Sequence, residues 1–545
     1  MRTRVQRSQR SRTATNRRKD ETLKKTSASP AIGFDTILIL DFGGQYSHLI
    51  ARRVREQGVY SETVPCDVTA QEILDVKEAL NVKGIILSGG PASVYTMDAP
   101  KFSPEILNLG IPILGLCYGY QLLAHLAGGR VEQSEKKEYG QTNVTIDKAV
   151  GILSGVERQE RVWMSHGDTV VALPLEFEIL AHTENSPIAA FRNQTGSING
   201  LQWHPEVFHT EKGEMMLRNF LFLICGCKPN WTMGDFINRT LSTVKEQVGN
   251  GKCIVALSGG VDSSTAAIMV AQAIGKRLTA VFVDHGFMRL GEPEAVQEAF
   301  SRFNSDLLVV NQQDRFLEKL KGVSDPEKKR EIIGREFVRV FEDVAKKVGA
   351  EYLVQGTIYP DRIESGYTKH SEKIKTHHNV AGMPTKIAFK AVIEPLKDLY
   401  KDEVRKVAEM LKLPKEIVWR QPFPGPGLAV RIIGEVTREK LNILKQADTI
   451  VTQEIENSNL AGELWQYFPV LTETMSVGVK GDSRAYGYTM AIRVVESREG
   501  MTAKFARLPY EILETISTRI TNELPQVTRV VYDISNKPPA TIEWE

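Results

Sequence analysis

Cysteine is scarce in this chain. Five residues in 545 (Cys66, Cys117, Cys225, Cys227 and Cys253) are scattered, and no pair has Cys-x-x-Cys spacing. That excludes a zinc ribbon or a thioredoxin-type motif and fits a reduced intracellular setting, with the cytoplasm as the expected location. No apolar run approaches the ~18 residues that cross a bilayer, so no membrane association is expected. There is no internal repeat. Gly-Lys occurs at Gly251-Lys252 and Gly275-Lys276, and neither is followed by a hydroxyl residue. A Walker A loop, which needs Gly-Lys followed by Ser or Thr, is therefore absent.

The first 34 residues lack aromatics before Phe34 and have almost no apolar side chains, while carrying ten Lys and Arg against Asp20 and Glu21. The formal net charge of +2 thus combines a head of +8 with a remainder of about −6. Such a head buries too little surface to fold alone and reads as a disordered basic tail. A transit segment for organelle import and a nucleic-acid arm are the other readings. Without an apolar h-region it is not a secretory signal, and Asp20 and Glu21 argue against a transit peptide.

From Asp35 the pattern becomes alternating strand and helix. Thr36–Leu40, Gly84–Leu87 and Ile113–Leu116 read as short buried strands, and Ser47–Gln57 as a helix stopped by Gly58. This alternation marks a parallel, doubly wound sheet. The stretch 225–230 breaks it. A second alternation follows, with strands expected at Cys253–Leu257, Leu278–Val283, Leu307–Val310 and Tyr352–Val354, and ends in Gln421-Pro-Phe-Pro-Gly-Pro-Gly427. Beyond it, helix Tyr510–Leu524 and strand Val527–Asp533 suggest a smaller α+β domain. The fold class expected is α/β: two doubly wound parallel-sheet domains, at 35–228 and 229–427, followed by an α+β domain at 428–545.

Two stretches carry chemistry. Gly115-Leu-Cys117-Tyr-Gly119 sits between strand and helix as a nucleophile elbow with Cys in place of Ser. The small flanking residues let the side chain project towards the N-terminus of the following helix. The competing reading is a buried structural cysteine. A Cys nucleophile needs a base and the base an orienter. His204 and Glu206 in Gln202-Trp-His-Pro-Glu206 supply both. Backbone N–H groups of Gly90 and Tyr118 are candidates for an oxyanion hole. The second stretch is Ser258-Gly259-Gly260-Val261-Asp262-Ser263-Ser264, between a strand and an apolar helix. Main-chain N–H groups at such a helix start bind phosphate.

The first set resembles the class I glutamine amidotransferases, through Ser88-Gly-Gly-Pro91, the Cys117 elbow with Gln121, and His204-Pro-Glu206. The resemblance implies a thioester on glutamine and release of ammonia, with Gln121 and Ser165-His-Gly-Asp168 helping to bind glutamine. The 258–264 loop resembles the pyrophosphate loop of the N-type ATP pyrophosphatases. That implies ATP cleavage to AMP and pyrophosphate, with Mg²⁺ accompanying ATP and Asp262 as its candidate contact. Further stretches, 325–334, 355–361, 375–380, 421–427 and 532–545, resemble the glutamine-hydrolysing GMP synthetase family over essentially 35–545.

That resemblance implies XMP, ATP and glutamine as substrates and no organic prosthetic group. It implies a homodimer formed through the last domain, without nucleic acid. It places Arg330, Gln466, Lys537 and Glu543 at XMP, and Lys375, His377 and His378 in a lid. Asn536, Ala540, Phe505 and Tyr120 depart from the family's usual Ser, Gly, Trp and Met. Two alternatives are an RNA-modifying or scaffold protein and a ligase that phosphorylates with a kinase-type loop. The first would show a zinc-type Cys motif and a basic core. The second would release ADP.

Overall fold

A computed structural model describes residues 31, 33–303, 306–367, 389–497, 500 and 502–545. Lys375, His377 and His378 lie outside the described residues, as does nearly all of the basic head. The chain divides into two units, Met1–Arg239 with Ile363–Tyr367 and Thr240–Arg362 with Thr368–Glu545.

The first unit is built on a sheet of nine strands. They are β1 (Thr36–Asp41), β2 (Tyr60–Pro65), β3 (Val82–Leu87), β4 (Ile113–Leu116), β5 (Arg130–Ile146), β6 (Gln159–Ala172), β7 (Phe177–His182), β8 (Ala190–Asn193) and β9 (Ile198–Leu201), in the order β2-β1-β3-β4-β9-β8-β7-β5-β6. The run β2-β1-β3-β4-β9 is parallel. Its strands read as continuous apolar stretches because helices cover both faces. From β9 onward the sheet turns antiparallel. The long β5 and β6 alternate buried and exposed positions, which hides them from a search for apolar runs. Helix Ser47–Glu56 buries Ile50, Ala51 and Val54. The core packs Leu38, Leu40, Ile85, Leu87, Ile113, Leu122 and Leu123.

The second unit holds two sheets. The first joins β10 (Cys253–Leu257), β11 (Leu278–Asp284), β12 (Asp306–Asn311), β13 (Tyr352–Val354) and β14 (Ala391–Ile393), all parallel, in the order β12-β11-β10-β13-β14. The strand order reverses between β10 and β13, so the loop after β10 lies at a topological switch point, where α/β sheets bind ligands. Helix Val261–Ile274 is buried on nearly every side. The other sheet has β15 (Gln466–Lys480), β16 (Ser483–Glu496), β17 (Lys504–Phe505) and β18 (Val527–Tyr532). There β16 pairs antiparallel with β15 and β17 and parallel with β18. One apolar cluster runs from Ile254 and Val281 to Ile492 and Val527, so the two sheets share a core.

Asp35 ties the two ends of the first unit together. Its buried carboxylate accepts from Lys228 N at 2.8 Å, Asn81 Nδ2 at 2.7 Å and Asn230 Nδ2 at 3.3 Å. Removing the carboxylate leaves three partly buried donors without their shared acceptor. Asp35→Ala is expected to cost about 1.5–3 kcal/mol. The cost should appear as a lower urea midpoint for unfolding with an unchanged m-value, and an unmoved midpoint would contradict it.

Candidate active site

Cys117 occupies the turn between β4 and helix Tyr118–Leu126 with φ 50° and ψ −105°. This is a sparsely populated backbone region for a non-glycine residue, worth about 1–3 kcal/mol of strain. The surroundings over-determine it. Cys117 N donates to Leu201 O at 2.9 Å and Gly119 N to Ser88 O at 3.2 Å. The strand therefore delivers the side chain to the carboxyl edge of the sheet.

His204 follows β9 and faces Cys117, whose thiol is a hydrogen-bond partner. Its Nδ1 donates to Glu206 Oε1 at 2.7 Å, which leaves Nε2 for the thiol. Burial favours neutral imidazole, but Glu206 and Cys117 together outweigh it and hold the His204 pKa well above its usual value. Tyr46 packs edge-on against the ring at 5.0 Å, and Arg53 Nε donates to Glu206 O at 3.0 Å. The turn after β3 closes on the same point. A Cβ on Gly89 would lie 3.2 Å from His204 Cε1 and 3.7 Å from Cys117 Cβ, and one on Gly90 would meet Tyr118 Cδ1 at 3.4 Å. The absence of a side chain at Gly89 relieves a tight fit against the His204 ring.

Gln121, one helical turn beyond Cys117, donates from Nε2 to Asp168 O at 2.8 Å and to Gln202 Oε1 at 3.3 Å. Cys117 Sγ itself donates to Ser165 O at 3.6 Å. The first unit thus brings Cys117, His204, Glu206, Gln121 and the 165–168 segment together, with Gly90 and Tyr118 alongside. Tyr46 and Arg53 were missed because neither belongs to a motif. The Gly43-Gly44 turn just before Tyr46 is the only local signal.

In the second unit, the loop after β10 wraps on its own hydroxyls. Ser258 N donates to Ser263 Oγ at 3.2 Å, Gly260 N to Ser258 Oγ at 3.3 Å, and the two serine hydroxyls lie 3.0 Å apart. Gly259 has φ +73°, and a Cβ there would meet Arg420 Nη1 at 2.7 Å. Arg420 donates to Gly259 O at 2.9 Å and pairs with Glu292. Asp262 pairs through Oδ2 with Lys401 Nζ at 2.5 Å, while its Oδ1 is buried without a partner. Among the described residues no cluster of three His, Cys, Asp or Glu side chains can hold a metal ion. A lone carboxylate oxygen beside a phosphate loop fits Mg²⁺ that takes its other ligands from phosphates and water.

Three of the four proposed XMP residues converge on the last segment of the chain. Arg330, on helix Pro326–Val348, donates to Glu545 O. Glu543 accepts two hydrogen bonds from the fully buried Arg431, at 3.0 and 2.8 Å, and one from Gln466 Nε2 at 3.3 Å. Lys537 instead points its Nζ to Gly500 O at 2.8 Å. Lys329, next to Arg330, is fully buried and pairs with Glu545.

Comparison with known proteins covers nearly the whole chain. The family model described as glutamine amidotransferase class-I matches residues 38–224, the PP-loop domain model 233–418, and the GMP synthase C terminal domain model 453–544. The GMP synthase [glutamine-hydrolyzing] of Acetivibrio thermocellus is 54% identical over 513 residues, 94% of this chain and 99% of that protein. The protein of that name from Clostridium perfringens is 53% identical, over 94% of this chain and 100% of its own length. The one from Caldanaerobacter subterraneus is also 53% identical, over 94% and 99%.

The raised His204 pKa means that its charged form is fully present below about pH 6.5, the unfolded value, and is lost as pH rises through the folded value. Glu206→Gln removes the anion that supports it. Glutamine hydrolysis should then fall by about 10²- to 10⁴-fold, the range for a disabled acid–base pair. The alkaline limb of the pH profile should move to lower pH. A normal rate with an unmoved limb would show that the pair has no part in the chemistry.

Proposed function

The chain belongs to the family of glutamine-hydrolysing GMP synthases, and from that premise we propose how its residues divide the work. The enzyme is an ATP-dependent ligase that makes GMP with nitrogen drawn from glutamine. The observation that carries the division is the strained Cys117 set against the hydrogen-bonded His204–Glu206 pair.

Residues 35–228 generate ammonia. The Cys117 thiolate attacks the glutamine carboxamide, N–H groups of Gly90 and Tyr118 receive the oxyanion, and His204 protonates the departing ammonia. Gln121 helps to hold glutamine. Water then releases glutamate from the thioester.

Residues 229–427 activate XMP. The Ser258–Ser264 loop grips the β- and γ-phosphates of ATP while the XMP oxygen attacks the α-phosphorus, giving an adenylate and pyrophosphate. Ammonia displaces AMP from the adenylate. Asp262, whose Oδ1 has no partner among the described residues, would help to hold Mg²⁺ accompanying ATP, and the ion would supply positive charge against the pyrophosphate. XMP is assigned to Arg330, Gln466, Lys537 and Glu543; the expected lid residues Lys375, His377 and His378 lie outside the described residues. A planar guanidinium such as Arg330 suits a phosphate.

Residues 428–545 complete that site and pair two copies of the chain. The β15–β16 hairpin leaves Val477, Val479 and Tyr486 exposed, an apolar strip that fits such an interface. Among the described residues no helix is long and apolar enough to cross a membrane. The cytoplasm suits the reduced cysteines.

Cys117→Ala tests the division directly. It should lose glutamine-dependent synthesis by several orders of magnitude, as when other nucleophiles are removed. It should keep synthesis from a high concentration of ammonium salt, rising with pH because neutral ammonia attacks. Each GMP should be matched by one AMP and one pyrophosphate. Normal turnover with glutamine would make Cys117 structural, and ADP as primary product would sink the adenylate.

Arg330→Ala should weaken XMP binding by roughly 10- to 150-fold, the loss of one charge-assisted contact of about 1.5–3 kcal/mol. Equilibrium binding of XMP reads this directly, and an unchanged dissociation constant would place the phosphate elsewhere.

A further inference from the structure

Behind the Cys117 site lies a second histidine–carboxylate pair that the proposed reaction does not use. Glu138 on β5 and His166 on β6 are direct cross-strand partners. Their side chains are only 3% and 2% exposed, with His166 Nε2 and Glu138 Oε2 at 3.0 Å. The strands reach this register through a bulge, in which residues 134–137 of β5 stand opposite Gly167 alone. A bulge of this kind re-aims side chains beside a site.

The hydrogen bonds fix the protonation. His166 Nδ1 lies 3.0 Å from Asp168 O, and a carbonyl only accepts, so Nδ1 carries a proton. Nε2 then either donates to an ionised Glu138 or accepts from a neutral one. Thr183 Oγ1 donates to Glu138 Oε1 at 2.9 Å and Ser186 Oγ to Oε2 at 3.0 Å. Thr169 Oγ1 in turn donates to Ser186 Oγ at 3.0 Å. These donors favour the carboxylate. Burial opposes the charge, but His166, Thr183 and Ser186 together hold the Glu138 pKa below its usual value. The pair therefore sits in a network that bonds both Glu138 oxygens and both His166 nitrogens, which keeps one geometry.

That geometry bears on the nucleophile through main chain. His166 is flanked by Ser165, whose carbonyl accepts from Cys117 Sγ, and it grips the carbonyl of Asp168, which also accepts from Gln121 Nε2. A carboxamide substrate that reaches Cys117 lies along this segment. We propose that Glu138 and His166 are positioning residues for glutamine: their buried pair locks residues 165–168 against Cys117 and Gln121, and so sets how tightly the amino-acid substrate is held without taking part in bond making. The proposal rests on the glutaminase reading of Cys117.

Glu138→Gln keeps the shape and removes the charge that holds His166. Two labels of Cys117 separate the effects. The chloromethyl ketone of glutamine reports substrate positioning, and iodoacetamide reports the thiol alone. In full-length Glu138→Gln, the glutamine KM should rise about 10-fold or more, and ketone labelling should slow to match. Iodoacetamide labelling, kcat at saturating glutamine and ammonium-dependent synthesis should stay within about threefold, the split expected when only uniform substrate binding is lost. Ser186→Ala, which removes one donor and leaves the pair, should raise KM a few-fold in the same direction and remains informative if the first variant misfolds.

An unchanged KM in either folded variant would overturn the proposal. So would parallel loss of both labelling rates, because the pair would then be shaping Cys117 itself. If the unaltered protein is not labelled at Cys117 by the ketone, the glutaminase reading fails instead.

Discussion

A parallel strand that ends in a helix leaves the first N–H groups of that helix without partners, and the rest of this molecule is arranged around that fact. Those groups attract negative charge. In the first unit they meet Cys117 at the head of helix Tyr118–Leu126, where the proposed reaction would develop negative charge. In the second they meet the serine-rich turn at the head of helix Val261–Ile274. The two sites differ in chemistry and share one electrostatic device. Each also has main chain passing close by: a Cβ would be a tight fit at Gly89 and would collide at Gly259, whose φ is also positive.

Charge inside the protein is confined to places where geometry matters. Arg431, Arg493 and Lys329 are fully buried, yet each has a job in fixing the last dozen residues. Arg493 donates to the carbonyls of Ser535 and Thr541, Arg431 holds Glu543, and Lys329 holds Glu545. Apolar side chains would be cheaper to bury, but they would not fix the register of a segment that is otherwise irregular. Glu138 and His166 repeat the pattern in the first unit. In both places a buried polar pair lies beside main chain that borders a candidate site.

The comparison of strands shows where local pattern suffices. Ile113–Leu116, Cys253–Leu257 and Tyr352–Val354 form over the expected residues, and the expected Thr36–Leu40 gains only Asp41. These are central parallel strands, apolar on both faces, so their composition alone marks them. The antiparallel β5–β9 extension left no such mark. Its strands carry polar residues on the open face, and β5 changes register midway.

The chain's own order determined the identity of its chemistry. A cysteine between two glycines, His-Pro-Glu, and a serine-rich turn between strand and helix are local patterns, and each marks a candidate site that a family resemblance can read. Which residues cooperate was decided only by the tertiary structure. Cys117 and His204 are 87 positions apart in sequence and meet because β4 and β9 are neighbours in the sheet. Glu138 finds His166 because a bulge brings them opposite each other, and Glu543 finds Arg431 because the final segment folds back over the Gly427–Arg431 turn. Hydrogen bonds between strands distant in sequence act through space, and no periodicity along the chain records them.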